Sequence, residues 1–196
     1  MIFARIISIL ANPVFILITL PYFLIFKETN SPTQAWNWTL YTLIYLLLFC
    51  IFVLFGIKKK IFNDIDVSNR KQRPLLYFIG GLLSFIYLIS LYFLKGPSIL
   101  SITTFGIILG IAIAALINIK VKASMHVASF AALITALSIV YGGYFLCAIL
   151  LIPLISWARV KIKRHTAKEV IVGAILGILL SLAMYIIALK VFIYNI

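Results

Sequence analysis

Long apolar blocks separated by short polar stretches organise this chain. A helix crossing the hydrocarbon core needs about 20 apolar residues at about 1.5 Å of rise each. Residues 6–26 form one such block, interrupted only by Asn12-Pro13 and Pro21, where proline favours a kink. It is long for a secretory leader and lacks a small-x-small cleavage site, so it reads as a retained span. Residues 27–38 read as a polar loop ending in two interfacial tryptophans, and residues 39–57 as a second span that stops at Lys58-Lys59-Lys60. Residues 75–94 and 99–119 read as a hairpin of spans around Lys95-Gly96-Pro97. Residues 126–157 contain no Asp, Glu, Lys or Arg, but the block is too long for one straight crossing. Gly142-Gly143 supplies a break, giving short helices at 126–141 and 144–157, and a last span covers 170–191. The expectation is an all-α, polytopic transmembrane helix bundle forming one integral membrane domain. It has seven spans, or six if the first helix lies in the interface.

Composition narrows the class. Of 196 residues, 65% are hydrophobic and 11% charged, with a mean hydropathy of +1.22. A soluble domain averages about 45–50% apolar and about 25% charged residues. Neither a water-soluble core nor a disordered chain fits those values. Lys and Arg total 17 against 4 Asp and Glu, a net +13, and the cations sit between apolar spans. That placement suits membrane orientation and anionic headgroups, not nucleic acid. Cys50 and Cys147 lie in apolar runs and read as small buried hydrophobes, neither a disulfide nor metal ligands. Paired Asp-rich motifs, which a polytopic prenyltransferase would use for diphosphate and magnesium, are missing, and the mid-spans lack the charges expected of a small-solute transporter.

With seven spans, the basic segments 58–73, 120–122 and 159–168 share the side of the N-terminus. That face holds 14 of the 17 cations; Lys27, Lys95 and Lys190 lie opposite. The excess of Lys and Arg places this face in the cytoplasm, and the expected location is the inner (plasma) membrane of a bacterium. Setting aside Arg73, Lys122 and Arg159 as binding candidates leaves 11 against 3 on the same count.

The scarce ionisable groups give the chemistry. Both histidines, His126 and His165, and three of the four acids, Asp64, Asp66 and Glu169, fall in the polar stretches that hold these cations, 58–74, 120–126 and 159–169. Lys58, Lys59, Lys60, Lys161 and Lys163 read as snorkelling interfacial cations. His165 and Glu169 are spaced i, i+4, so they share a helix face. A carboxylate on one imidazole nitrogen fixes the tautomer and leaves the other as a better nucleophile. Arg159 offers a planar fork for phosphate oxygens. Ser124 and His126 precede an apolar helix whose first N–H groups favour an anion, and Arg73-Pro74 opens another helix. These groups are what phosphate-ester hydrolysis at a membrane surface requires.

On these residues the chain resembles the type 2 phosphatidic acid phosphatase superfamily, itself similar to the vanadium haloperoxidases, with motifs K-x6-R-P, P-S-G-H and S-R-x5-H-x3-D. Arg159-x5-His165-x3-Glu169 keeps the spacing of the third motif, and Glu169-Val170-Ile171-Val172-Gly173 resembles its continuation. Ala123-Ser124-Met125-His126 keeps the serine and histidine of the second motif. Of the first, Arg73-Pro74 stands, with Asp66 at the position of the family lysine; Lys122 is the favoured substitute, with Arg70 and Lys71 as alternatives. The resemblance spans residues 66 to about 180 and leaves the two leading spans without a signature.

The resemblance implies that His165 attacks phosphorus to form a phosphohistidine, that Glu169 orients it, and that His126 protonates the leaving alkoxide and then activates water. Arg73, Ser124 and Arg159, with Lys122, would bind the phosphoryl oxygens; Asp66 and Arg70 would support them. It implies no metal and no cofactor. The expected function is a membrane-embedded phosphatase acting on a lipid phosphate or an isoprenoid (polyprenyl) diphosphate, its tail held among membrane lipids. The alternative is a lipid-phosphate binding or transport protein without turnover.

Overall fold

Proline, serine and glycine decide where the helices of this protein start and stop. The computed structural model describes residues 1–193, and among them no strand occurs. Helix α1 (Ile2–Leu10) ends at Ala11, and Asn12 Oδ1 accepts the Val14 N–H at 2.9 Å to open α2 (Pro13–Thr29). The first apolar block is therefore two helices bent by 41°, with Pro21 inside the second. The loop expected at 27–38 is instead almost wholly helical. α2 runs on through Thr29, and α3 (Pro32–Lys58) starts after a turn of only Asn30 and Ser31. The reason is local: the Ser31 side chain accepts the Gln34 N–H, and Pro32 holds the first-turn dihedral.

Helices α4 (Arg73–Phe93) and α5 (Ser98–Asn118) follow, then α6 (Met125–Tyr141). Gly142, at φ 81, takes a conformation that only glycine adopts cheaply and stops α6. Where one short helix was expected at 144–157, the chain forms a 3-10 stretch, Gly143–Leu150, and then α7 (Leu151–Lys161). Pro153 has no N–H to offer the Ile149 carbonyl, so it fits only in the first turn of α7. Helix α8 (Ala167–Ile193) completes the described chain.

Three helices end in one way. Lys60 after α3, Lys95 after α4 and Lys163 after α7 adopt φ 60, 52 and 60, in the left-handed region. In each case the next N–H reaches back to a carbonyl five residues earlier: Ile61 to Gly56, Gly96 to Leu91, and Arg164 to Arg159. Glycine usually fills this position. A lysine there places its cation at the negative end of the helix dipole, against a backbone penalty of about 1 kcal/mol. Lys95→Gly should therefore raise stability by up to about 1 kcal/mol, measured as the denaturation midpoint in detergent.

Contacts divide the chain into two compact units. The first joins Met1–Leu20 to residues from Ala123 onward, around a core of Ala11, Val127, Ala131, Ile152, Ile155 and Val170. The second, Pro21–Lys122, is built around Ile25, Ala35, Tyr87, Leu91 and Leu100. Outside both cores the surface is apolar: Phe78 is 66% exposed and Tyr92 80%. In water such a surface would aggregate, whereas lipid accepts it. Helix α3, residues Arg70–Phe93, α5 and Ala167–Lys190 are long and apolar enough to cross a bilayer, and the bent α1–α2 pair makes a fifth candidate. The molecule is a helical membrane protein. Cys147 corrects an expectation, for it is exposed on the 3-10 stretch, while Cys50 is half-buried. An apolar residue facing lipid need not be buried in protein.

Candidate active site

The start of α8 holds the most specific constellation. Thr166 and Glu169 form a reciprocal cap: the Thr166 N–H donates to Glu169 Oε2 at 3.1 Å, and the Glu169 N–H donates to Thr166 Oγ1 at 3.3 Å. The same Oε2 lies 2.9 Å from His165 Nδ1. The His165 side chain is 2% exposed and that of Glu169 18%, so the pair is shielded on the imidazole side and wetter on the carboxylate side. Glu169 is also the only acidic side chain in residues 1–20 and 123–196. The spacing anticipated the His165–Glu169 pair, but the cap went unread, although Thr-x-x-Glu before an apolar run is its sequence signature.

Small residues bring the start of α6 to the start of α8. Along α8, Gly173, Gly177 and Ser181 recur every four residues; along α6 and its cap, Ser124, Ala128 and Ala132 do the same. A Cβ on Gly173 would lie 2.6 Å from the Ser124 carbonyl oxygen, and one on Gly177 would collide with the Ala128 carbonyl. Ser181 Oγ donates to the Ala132 carbonyl at 2.9 Å. The partners advance together, so the helices run parallel with their backbones in contact, as small-x-x-x-small faces permit. Gly173-x3-Gly177 was the overlooked signal for this packing. Its consequence is that both helices begin at one place, where the Ser124 N–H donates to the Glu169 carbonyl at 3.0 Å.

Two helix N-termini side by side concentrate positive potential and uncapped N–H groups. Ser124 occupies the N-cap of α6 but makes no side-chain cap; among the described residues its fully buried Oγ has no hydrogen-bond partner. A serine hydroxyl in that position normally accepts a first-turn N–H. His126 follows in the first turn of α6, 7% exposed. Met125, which replaces the glycine of the resembled motif, is the first residue of α6 and does not have positive φ, so the backbone there does not require glycine.

Arg159 is 2% exposed near the end of α7. Its carbonyl accepts the N–H of Arg164 at 3.1 Å and of His165 at 3.3 Å, tying the arginine backbone to the histidine. Its Nη1 donates to Ser8 Oγ of α1 at 2.7 Å, a partner no sequence motif announced. Around these buried groups Lys161, Lys163, Arg164 and Lys168 are exposed.

The remaining candidates belong to the second unit. Arg73, 4% exposed at the start of α4, donates from Nε to the Val67 carbonyl at 3.1 Å. Val67 is fully buried at φ 43, a costly conformation for a β-branched residue, and the surrounding segment holds it there. Asp66 is half-buried in a turn in which its N–H donates to Asp64 Oδ1. Arg70 Nη1 donates to the Lys120 carbonyl at 3.1 Å, and Asn118 Nδ2 donates to the Arg70 carbonyl, so this segment is pinned two residues short of Lys122. Ser124, His126, Arg159, His165 and Glu169 thus share the first unit, while Asp66, Arg70, Arg73 and Lys122 share the second. Among the described residues no three His, Cys, Asp or Glu side chains gather as metal ligands would. No family model, no curated protein and no solved structure matches this chain.

Proposed function

We propose that this protein is a membrane-embedded phosphatase acting on a lipid phosphate or polyprenyl diphosphate. The observation that carries the reading is the shielded His165–Glu169 pair, 2.9 Å apart, formed by the only acidic side chain of its unit where two helix N-termini meet. With Nδ1 committed to Glu169, Nε2 of His165 is the nucleophile. It attacks phosphorus while the bond to the leaving oxygen breaks, that of the lipid alkoxide for a monophosphate or of the polyprenyl monophosphate for a diphosphate, and His126 gives that oxygen a proton. Water then attacks the phosphohistidine, His126 takes a proton from it, and inorganic phosphate and free His165 result. Arg159 and the Ser124 hydroxyl meet the charge that builds on the phosphoryl oxygens, and the N-terminal N–H groups of α6 add to this. The exposed lysines around the pair draw an anionic headgroup toward it.

The test is release of inorganic phosphate by the purified protein from a panel of phosphatidate, lysophosphatidate and polyprenyl mono- and diphosphates. Release from one or more is expected. Binding without release from any member overturns hydrolysis in favour of a carrier or sensor of the same lipids.

The same reading has seven crossings, α6 and the 3-10 stretch with α7 being two short ones, and puts the site face in the cytoplasm. Lys163→Cys, in a background lacking Cys50 and Cys147, should then resist an impermeant thiol reagent in sealed cells and react after lysis. Labelling in sealed cells would place the site outside.

A further inference from the structure

Helix α1 lies outside every motif discussed above, yet it reaches the candidate site. Its inward face is small: Ala4 and Ser8 are buried, and Ala11 just beyond its end joins the core. Its outward residues are Ile2, Phe3, Ile6, Ile9 and Leu10, with Arg5 the one charged side chain exposed among them, as suits a helix set against lipid near the interface. Ser8 is therefore the one polar side chain on the inner face of an apolar helix, 5% exposed. A hydroxyl in that place needs a partner, and Ser8 Oγ takes Arg159 Nη1 at 2.7 Å, the short distance of a charge-assisted bond. The helices themselves are held together independently of that bond, through Ile7 and Ala11 against the core and through the rings of Phe3 and Trp157, 6.3 Å apart.

We infer that Ser8 is a positioning residue for the phosphate-binding arginine, which makes α1 part of the site; the inference rests on the phosphate-site reading of Arg159. The arginine is held at both ends. Its carbonyl takes the two N–H groups that close α7, and its guanidinium tip takes Ser8. A guanidinium recognises phosphate through a planar fork, so its orientation decides whether two oxygens are met or one. Ser8 holds that plane through Nη1. Without it the buried Nη1 loses one of the contacts that set the plane of the guanidinium.

The experiment measures binding of inorganic phosphate, read as thermal stabilisation of the purified full chain, for wild type, Ser8→Ala, Arg159→Lys and the double variant. Phosphate release from the lipid panel is measured in parallel. Losing a hydrogen bond to a charged group costs about 1.5–3 kcal/mol, or roughly 10- to 100-fold. Ser8→Ala should raise the phosphate concentration for half-maximal stabilisation by roughly that factor, over and above the lowering of the phosphate-free melting point that the lost bond itself causes. In the Arg159→Lys background the same substitution should have little further effect, because the fork it orients is gone. An unchanged phosphate midpoint in Ser8→Ala, or a loss that simply adds to that of Arg159→Lys, overturns the inference. So does a wild type that phosphate does not stabilise. A wild type that binds phosphate in this pattern but releases none from any lipid overturns the hydrolytic reading and leaves the Ser8 role standing. If Ser8→Ala does not fold, Ser8→Cys, similar in size and a poor acceptor, makes the same comparison, and failure of both to fold assigns Ser8 to packing alone.

Discussion

Purified His165→Ala is expected to release phosphate from the responsive lipid about 10,000-fold more slowly than wild type, or slower still, with its melting point little changed. Removing a nucleophile eliminates the covalent route and leaves only what oriented charges do for direct attack by water. Glu169→Gln is the sharper companion. Glu169 does two things at once, capping α8 through Thr166 and holding His165 Nδ1. Glutamine serves the cap nearly as well as glutamate, since either can close this reciprocal arrangement. It cannot supply the charge that fixes the imidazole tautomer and stabilises the imidazolium. Activity should therefore fall about 100- to 10,000-fold while stability changes by less than about 1 kcal/mol. A Glu169→Gln protein that keeps full activity would reduce this carboxylate to a helix cap.

Gly177→Ala should be among the most destabilising substitutions in the chain. Alanine improves helix propensity over glycine by about 1 kcal/mol, so an unhindered position would gain stability. Position 177 is not unhindered, because the new methyl would strike the Ala128 carbonyl and lie 2.9 Å from the Ala132 nitrogen. Those are backbone atoms of a packed helix, so no rotamer change relieves the contact. α6 must move off α8, stretching the Ser181–Ala132 bond and the Ser124–Glu169 bond with it. The net loss should be about 2–4 kcal/mol, read as the unfolding midpoint in mild denaturant. Gly173→Ala should cost less stability but more activity, because its methyl meets the Ser124 carbonyl oxygen at 2.6 Å and displaces the serine from the site. Gly81→Ala is the control: its Cβ would meet Ile111 at an ordinary 3.8 Å, and it should be neutral or stabilising. Equal tolerance at 81 and 177 would mean that α6 and α8 do not meet through their backbones.

Where one signal dominated, the sequence was legible. Apolar blocks gave the helices, the Gly142-Gly143 break fell where φ turns positive, and the i, i+4 spacing put His165 on Glu169. Signals of opposite sense were harder. Residues 27–38 look like a loop by polarity, but Ser31-Pro32 starts a helix inside them, because capping offsets the polar composition of a first turn. The Gly173 and Gly177 stripe was hidden by reading glycine only as part of a catalytic motif. Ser8 could not be paired with Arg159 from sequence, since 151 residues separate them and a lone serine in an apolar helix carries no address.

Phosphorylation of His165 during turnover can be caught by quenching the protein in alkali after mixing with a lipid labelled in its phosphate. Nitrogen-bound phosphate survives alkali and is lost in acid. Acid-labile, alkali-stable label is expected on the peptide carrying His165, present in wild type and absent from His165→Ala. Phosphate release by wild type that leaves no label on that peptide, or label that persists in His165→Ala, would contradict phosphorylation at His165.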